Sequence, residues 1–369
     1  MEIKTLGELC DIVSGGTPSR SKAEFWNEGT IPWIKIGNIK GKYVNEADEF
    51  ITQKGLAGSS AKMLAKGTVL YTIFATLGEV GILDIDACTN QAIAGLTIKD
   101  TNQLSIDYLY YYLRSKKAYV NNIGRGVAQN NINMSILKSF EVPLPELSRQ
   151  TEIVEITSKV SRIIETRQQE LECLDNLIKA RFVELFGDVK YGVDRWGEKN
   201  FKNITINLDS GRKPVKDEDR KKMQGIYPYY GATGIVDYVN DYRQEGEFLL
   251  ISEDGKALEL RSKPIAFLAS GKIWVNNHAH VQQCTDECNI IYLMYHINLM
   301  DISAWVTGID QKKLNRANLD TIPIALPPIE LQNQFATFVK QVDKSKFAVQ
   351  KGLEEAQKLF DSLMQKYFS

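Results

Sequence analysis

Long hydrophobic runs are missing from this sequence: no apolar stretch approaches the roughly 18 residues that a transmembrane helix needs. The first residues also lack the basic segment and apolar core of a signal peptide. We therefore expect a soluble, cytoplasmic protein. Cysteine is scarce, with five residues scattered through a chain of 369, which favours free thiols over a disulfide framework.

An excess of charge of either sign is missing as well. The chain has 45 Lys and Arg against 46 Asp and Glu, a net charge of −1. Isolated DNA-binding domains are often strongly basic. If this chain binds nucleic acid, the charge balance predicts weak binding alone, with partner proteins supplying more of the phosphate contacts.

Catalytic motifs are scarce. An adenine methyltransferase needs a glycine-rich cofactor loop and an Asp/Asn-Pro-Pro-aromatic tetrapeptide, but the Pro-Pro pair here, Pro327-Pro328, follows a leucine. The Gly-Lys pairs at 255–256 and 271–272 lack the earlier glycine of a phosphate-binding Walker loop. Asp254-Gly-Lys256 matches only the tail of a nuclease motif, and three histidines without a Ser/His/Asp grouping give covalent catalysis no support. We predict no catalytic residue and no cofactor.

Four possible metal ligands do lie within eleven residues: His278, His280, Cys284 and Cys288. Zinc sites usually combine Cys-x2-4-Cys with His-x3-5-His spacing, which this segment lacks. A His-x-His pair on a strand points both rings to one face, whereas the cysteines lie in or beside a turn. Ordinary strand and loop residues are the favoured interpretation, so we predict no metal site.

A segment that occurs twice is the most informative feature present. Residues 129–186 match residues 311–368 at a shift of 182 positions without a gap, so that Asn133 corresponds to Asn315 and Gln150 to Gln332. A duplicated unit at this distance predicts two similar modules, each closed by the same long element.

That element is predicted to be a helix in both copies, because its apolar residues recur with a period of 3.6. Prolines precede each copy, and Gly187 follows Phe186 where a C-terminal cap belongs. The apolar positions are Ile153, Ile156, Val160, Ile163, Leu171, Leu174, Ile178, Phe182 and Leu185 in the first copy, and Phe335, Phe338, Val342, Val349, Leu353, Ala356, Phe360, Leu363 and Tyr367 in the second.

A stripe of this length predicts a coiled coil between the two copies. Each helix would span roughly 58 Å at about 1.5 Å per residue. A compact domain between them, with a radius of gyration near ~14 Å, would enter and leave at the same end of the rod. We therefore predict an antiparallel pair with a globular module at each end and a pseudo-two-fold internal repeat.

The modules themselves mix strand, turn and helix signals, which predicts a mixed α/β fold. Leu104 to Tyr119 is predicted as a helix, with Ile290 to Leu299 as its counterpart and Tyr110 corresponding to Tyr292 at the same shift. The predicted domains are residues 1–147 (first module), 148–187 (first helix), 188–329 (second module) and 330–369 (second helix).

Polar clusters suited to DNA occur in both modules. Lys and Arg reach phosphates, Arg reads guanine, and Asn or Gln reads adenine edges. For any one residue a solvated surface is the simpler interpretation, but clusters in both modules favour DNA reading. The candidates are Thr17, Arg20, Lys35, Asn38, Lys40, Arg125, Asn130 and Asn131 in the first module, and Arg212, Lys213, Lys216, Tyr230, Lys256, Lys272, Asn277, His278, Lys312 and Lys313 in the second.

Several motifs together resemble the specificity subunits of type I restriction–modification systems, across essentially the whole chain. They are Ser14-Gly15-Gly16-Thr17-Pro18-Ser19 with Trp26 and Gly29-Thr30-Ile31-Pro32-Trp33-Ile34; Cys88-Thr89-Asn90-Gln91-Ala92-Ile93 and Asn276-Asn277-His278-Ala279-His280-Val281; and Pro143-Leu144-Pro145-Glu146-Leu147 with Gln150, and Leu326-Pro327-Pro328-Ile329 with Gln332.

The resemblance implies two target recognition domains spaced by an antiparallel helix pair, and a double-stranded DNA target made of two half-sites separated by a spacer. It implies two methyltransferase (modification) subunits and restriction (translocase) subunits as partners, with catalysis and S-adenosylmethionine binding in the modification subunit. Two departures stand out: Arg149 and Leu331 replace an acidic residue before the helix-start glutamine, and the sequence stops at Ser369 with almost no tail. The alternative function is a coiled-coil scaffold that holds protein partners without binding nucleic acid.

Overall fold

The structure is a computed structural model that describes residues 2–124, 131–189, 195–309 and 311–368. The chain divides into two compact units. Unit 1 comprises Met1–Gln168 with Lys351–Ser369, and unit 2 comprises Gln169–Gln350. Both units therefore contain one globular part and segments of both long helices. The domain boundaries stated above remain a prediction.

Unit 1 is built from ten strands and six α-helices within its described residues, the sixth continuing into unit 2, together with the end of the long C-terminal helix. The strands are β1 (Glu2–Thr5), β2 (Cys10–Ser14), β3 (Ile31–Ile34), β4 (Tyr43–Val44), β5 (Glu49–Ile51), β6 (Val69–Thr72), β7 (Val80–Leu83), β8 (Cys88–Thr89), β9 (Ile93–Ile98) and β10 (Glu141–Leu144). The helices are α1 (Leu6–Leu9), α2 (Gln53–Ala57), α3 (Ile106–Ser115), α4 (Lys117–Gly124), α5 (Met134–Lys138) and α6 (Leu147–Phe186).

Three sheets organise these strands: a five-stranded sheet in the order β2-β9-β6-β7-β4, a three-stranded sheet in the order β5-β3-β8, and the pair β1-β10. Strands β6 and β7 are buried along their whole length, which explains why their sequences are continuous apolar runs rather than alternating ones. The chain thus closes its N-terminal strand against the strand that leads into the long helix.

Unit 2 repeats this plan. Its strands are β11 (Glu198–Asn200), β12 (Thr205–Asn207), β13 (Gln224–Gly231), β14 (Gly234–Val239), β15 (Gln244–Ser252), β16 (Ala266–Val275), β17 (Ala279–Cys284) and β18 (Pro323–Ala325). Its helices are α7 (Phe201–Ile204), α8 (Asp217–Arg220), α9 (Lys256–Leu260), α10 (Ile290–Leu299), α11 (Arg316–Asp320) and α12 (Ile329–Phe368). Six strands form one sheet in the order β12-β17-β15-β16-β13-β14, and β11 pairs with β18 as β1 pairs with β10.

The long helices confirm the repeat residue by residue. Helices α6 and α12 are each 40 residues long and begin and end at positions 182 apart. Gly187 follows α6 with a φ of 91°, and its N–H donates to the Val183 carbonyl at 2.8 Å, as a glycine C-cap does.

The helix-start glutamines are fully buried and bonded in the same way. Gln150 Nε2 donates to the carbonyls of Pro145 and Gln103, and its Oε1 accepts from the Ser105 amide at 2.9 Å. Gln332 makes the corresponding three bonds, including Oε1 with the Asn289 amide at 2.8 Å. Each glutamine therefore ties the start of its long helix to the loop before α3 or α10.

The two helices run antiparallel, as predicted. Within unit 1, Arg149 lies over the Tyr367 ring (5.7 Å) near the start of α6, while Gly352 lies beside Arg167 further along the helix. Within unit 2, Lys346 forms an ion pair with Asp175 at 2.5 Å, and Phe335 packs against Phe182. The start of α6 thus pairs with the end of α12, and the end of α6 with the start of α12.

The fold is the mixed α/β arrangement predicted from the sequence, with corrections in detail. Ile156 and Ile163 were assigned to the helix seam, but they are 38% and 49% exposed, and Ile164 is buried instead. The helix predicted from Leu104 to Tyr119 is two helices, α3 and α4.

The counterpart of Tyr292 is Tyr108 rather than Tyr110. The two tyrosines donate equivalent hydrogen bonds, to the Pro143 and Ala325 carbonyls. Helices α3 and α10 therefore correspond at a shift of 184, because the connection from α3 to α5 is two residues longer than that from α10 to α11.

Two expectations about the whole chain can be compared with the structure. All five cysteines are free. No helix in the described part of the chain is both long and apolar enough to cross a membrane.

Candidate nucleic-acid interface

Both units hold the same set of four short segments together, which we call the loop frame. In unit 2 the loop frame comprises 211–213, 253–255 after β15, 276–278 between β16 and β17, and 313–315 before α11. In unit 1 it comprises 14–16, 73–75 after β6, 90–92 between β8 and β9, and 131–133 before α5. These segments carry many of the polar residues selected from the sequence.

Backbone hydrogen bonds define the loop frame of unit 2. The Lys213 amide donates to the Val275 carbonyl at 3.0 Å, and the Glu253 amide donates to the His278 carbonyl at 2.9 Å. The Leu314 amide donates to the Glu253 carbonyl at 2.8 Å. The Asn276 side chain accepts from the His278 amide at 2.8 Å, which fixes the turn between the strands.

The same bonds recur in unit 1. The Gly16 amide donates to the Thr89 carbonyl at 2.9 Å, the Ile73 amide to the Ala92 carbonyl at 2.8 Å, and the Ile132 amide to the Ile73 carbonyl at 3.1 Å. Asn90 accepts from the Ala92 amide at 3.1 Å, as Asn276 does in unit 2. Gly16, Ile73 and Ala92 therefore occupy the places of Lys213, Glu253 and His278.

Charged side chains fill the loop frame of unit 2. Glu253 forms ion pairs with Arg212 at 2.5 Å and with Lys313 at 3.1 Å, and Arg212 also lies 3.3 Å from Asp209. Burial would raise the pKa of Glu253, but the hydrogen bonds from Arg212 and Lys313 outweigh it and hold the pKa below the usual range. Two predicted DNA-contacting cations thus share one carboxylate.

A buried histidine supports this network. His280 Nδ1 lies 2.7 Å from Asp209 Oδ2, and its Nε2 lies 2.9 Å from the Leu314 carbonyl oxygen. Both partners accept hydrogen bonds, so the ring satisfies both when both nitrogens carry a hydrogen. Burial would raise the pKa of Asp209, but bonds from His280 and the Val281 amide hold the pKa below its usual range.

A second carboxylate–histidine pair lies at the surface of the same loop frame. The His278 Nδ1 is 2.8 and 3.0 Å from the two carboxylate oxygens of Asp254. The His278 side chain is 47% exposed, whereas Asp254 is 13% exposed. Asp254 therefore orients an imidazole that is about half exposed.

The loop frame of unit 1 is neutral at the corresponding places. Phe74, at the position of Asp254, is 39% exposed. Thr17 donates from its hydroxyl to the side-chain oxygen of Gln91. Gly15 corresponds to Arg212, and a Cβ there would lie 2.2 Å from the Asn90 carbonyl oxygen, so this frame is closed too tightly for a side chain at that point.

The other predicted contacts of unit 1 cluster around one carboxylate. Arg20 and Lys35 both pair with Glu49, at 2.5 and 2.6 Å, and the Arg20 guanidinium lies 3.7 Å from the Trp26 ring centre. Hydrogen bonds from Arg20 and Lys35 lower the pKa of Glu49. Asn38 accepts from the Lys35 amide, which places it in the same short turn.

The remaining candidates differ in exposure. Lys40, Lys213, Lys216, Lys256 and Asn277 are exposed, and Lys312 is half-buried. Asn131 lies in the loop frame of unit 1, bridged to Phe74. Lys272 lies on β16, and its ammonium nitrogen is 4.7 Å from the centre of the Tyr242 ring. Arg125 and Asn130 lie outside the described residues.

Tyr230 is a correction, because its side chain is only 8% exposed. It packs in the core beside Phe267, so its ring presents little surface to DNA.

Acidic residues were missed by sequence reasoning. Asp209, Glu253 and Asp254 hold the cations and histidines in place, although Asp254 had been considered only as part of a weak nuclease motif. The sequence feature that could have identified these residues is their position directly after a buried strand or in a turn beside a glycine. The histidines and cysteines weighed as zinc ligands are divided among different partners, and no group of three or more metal-binding side chains is found in the part of the chain that is described.

A family model described as the type I restriction modification DNA specificity domain matches residues 1–174 and 194–357. It matches the chain twice, once in each module. A protein of Haemophilus influenzae, provisionally named a type I restriction enzyme specificity subunit, is 41% identical over 127 residues, which is 34% of this chain and 32% of that protein.

The type I restriction enzyme MjaIX specificity subunit of Methanocaldococcus jannaschii is similar over nearly the full length. It is 24% identical over 99% of this chain and 92% of its own. A crystal structure of a type I restriction–modification S subunit from M. genitalium has the same fold, with a TM-score of 0.56 and 18% identity over 100% of this chain and 96% of that one.

Proposed function

The chain belongs to the family of type I restriction–modification specificity subunits, with DNA-recognition domains, and we propose that it reads a DNA target in two separate half-sites. Each module would read one half-site through its loop frame. The helix pair would set the number of spacer base pairs between them. The chain itself would perform no catalysis and hold no cofactor.

One observation carries this proposal: the ends of the long helices are exchanged between the modules. Phe186, at the end of α6, packs against Tyr292 in unit 2, whereas Phe368, at the end of α12, packs against Tyr108 in unit 1. Each module is therefore anchored on both helices. An anchor of this kind supports a fixed distance between two readers, which a flexible linker would not provide.

The different side chains of the two loop frames support two different half-sites. Base edges are distinguished by donor and acceptor patterns in the major groove. A frame lined by Phe74, Gln91 and Asn131 presents different chemistry from one lined by Arg212, His278 and Lys313. We assign the exposed lysines, such as Lys40 and Lys256, to phosphate contacts that fix register.

We propose that the exposed faces of the helices bind two methyltransferase subunits, and that restriction subunits join this complex. Large apolar side chains are exposed on these faces: Ile156 and Ile163 in unit 1, and Leu177, Val183 and Phe347 in unit 2. Exposed apolar side chains that together form a patch are typical of a protein interface. Because the complex acts on host DNA, we assign it to the cytoplasm.

Docking is tested by Ile163→Asp and by charge reversal at the neighbouring Lys159. Both variants are expected to fold normally and to lose co-purification with the methyltransferase subunit. Full assembly of both variants would contradict this surface.

DNA binding is tested by a gel shift of the chain with its methyltransferase subunit, across a salt series. We expect a shift that weakens steeply with salt and requires both half-sites. A complex that assembles but shifts no DNA at low salt would favour the protein scaffold instead.

A further inference from the structure

The Asp254–His278 pair is the part of the second loop frame with the most defined chemistry. His278 is held at three points: its ring Nδ1 by Asp254, its backbone amide by the Asn276 side chain, and its backbone carbonyl by the Glu253 amide. A side chain held this way loses little conformational freedom on binding, which favours specific contacts. The side chain is 47% exposed, and its second ring nitrogen is Nε2.

The hydrogen bond between Nδ1 and Asp254 bears on whether Nε2 donates or accepts a hydrogen bond. An ionised carboxylate only accepts hydrogen bonds, so Nδ1 carries a hydrogen, and in the neutral form of the ring Nε2 is an acceptor. No other protein group in the described ranges is hydrogen-bonded to Nε2. A phosphate oxygen is also an acceptor and cannot pair with Nε2 in that form.

The hydrogen-bonding groups of the major groove then limit which base can bind Nε2. The hydrogen-bond donors on base edges there are the exocyclic amino groups of adenine and cytosine, whereas guanine and thymine present acceptors. An acceptor held rigidly at the surface therefore selects an amino-bearing base. The neighbouring Lys256 is free to reach a phosphate, since its side chain is exposed at the start of α9.

We propose that His278 is a specificity-determining residue of the second module and accepts a hydrogen bond from the amino group of an adenine or cytosine in one half-site. Asp254 is its positioning residue, because it fixes the ring and its tautomer. This inference rests on the proposed function and adds the base class read at one position. In unit 1 the corresponding residues, Ala92 and Phe74, provide no such acceptor.

The test uses the assembled methyltransferase complex and a library of DNA targets with every base at every half-site position. Relative methylation rates are measured for the wild type, His278→Ala, His278→Gln and Lys256→Ala. His278→Ala should lose on the order of tenfold discrimination at a single base pair of one half-site. The other half-site and the spacer should stay unchanged.

Three companion variants separate the possible outcomes. His278→Gln should retain much of the preference, because its amide oxygen still accepts, and Lys256→Ala should weaken methylation similarly on all sequences. Asp254→Ala should relax the same position as His278→Ala without lowering the thermal stability of unit 2.

Unchanged discrimination in His278→Ala, or a uniform loss like that of Lys256→Ala, would overturn the inference. A wild-type complex that methylates no bipartite target would instead refute the proposed function.

Discussion

The loop frames of the two units share their backbone hydrogen bonds and differ in nearly every side chain that faces outward. Gly15, Ile73, Phe74 and Ala92 in unit 1 stand where Arg212, Glu253, Asp254 and His278 stand in unit 2. The backbone bonds need no particular side chain, so the frame persists while its lining changes. The long helices show the opposite behaviour, since their packing depends on side chains, and there the sequence repeat is retained.

The comparison predicts equal importance for the aromatic residues at the two helix ends. Phe186→Ala and Phe368→Ala should each lower the free energy of unfolding by about 3–5 kcal/mol, because each removes a buried ring. Hydrogen exchange resolved by peptide should show opening in unit 2 for Phe186→Ala and in unit 1 for Phe368→Ala. The reverse assignment would contradict the exchange of helix ends between modules.

The buried glutamines provide a second matched pair. Gln150→Ala or Gln332→Ala breaks three hydrogen bonds and leaves buried backbone groups unpaired, at a cost of about 2–4 kcal/mol each. Thermal or denaturant unfolding measures this loss. Gln169→Ala, an exposed residue of α6, is the control and should change stability by less than about 0.5 kcal/mol. A large difference between the stability losses of the two glutamine variants would show that the repeated hydrogen bonds do not contribute equally to stability.

Acid sensitivity should distinguish unit 2 from unit 1. His296 stands where unit 1 has Tyr112, and burial lowers the pKa of His296 to about 4. The folded ring is neutral, while the unfolded ring takes up a proton below its ordinary pKa of about 6.5. Stability is therefore fully present above pH 6.5 and falls progressively between pH 6.5 and 4.

The expected loss is about 2 kcal/mol by pH 5, at about 1.4 kcal/mol per pH unit. Unfolding followed as a function of pH measures it, and His296→Tyr should flatten the curve over this range. An identical pH dependence in the variant would assign the acid sensitivity to other groups.

The smallest expected effects come from one exposed lysine in each module. Lys40→Ala and Lys256→Ala should each weaken DNA binding of the assembled complex a few-fold on all sequences. The slope of log affinity against log salt should decrease by about one for each. A change in the recognised bases would instead make either lysine a base reader.

The helices were predictable because Gln150, Gln332 and the apolar positions repeat at one shift over 58 residues. Their orientation followed from chain length and geometry. The exposure of Ile156 and Ile163 was not predictable. A helical period shows which face of a helix is apolar, but it does not show how much of that face neighbouring elements cover.

The site was less accessible to sequence reasoning. Its segments lie far apart in the chain, and local composition does not show that Glu253 receives Arg212 and Lys313, or that Asp254 receives His278. Candidate residues could be selected by type and by turn signals. Which of them share a carboxylate is decided by strand pairing.

The most direct test of the fixed-distance account inserts four residues after Gln168 and four after Gln350, at the matched middles of α6 and α12. One added turn lengthens each helix by about 6 Å and rotates it by about 40°. Methylation-site mapping should then show both half-sites unchanged and the spacer longer by about one or two base pairs, at about 3.4 Å each. An unchanged spacer, or altered half-site bases, would contradict the account.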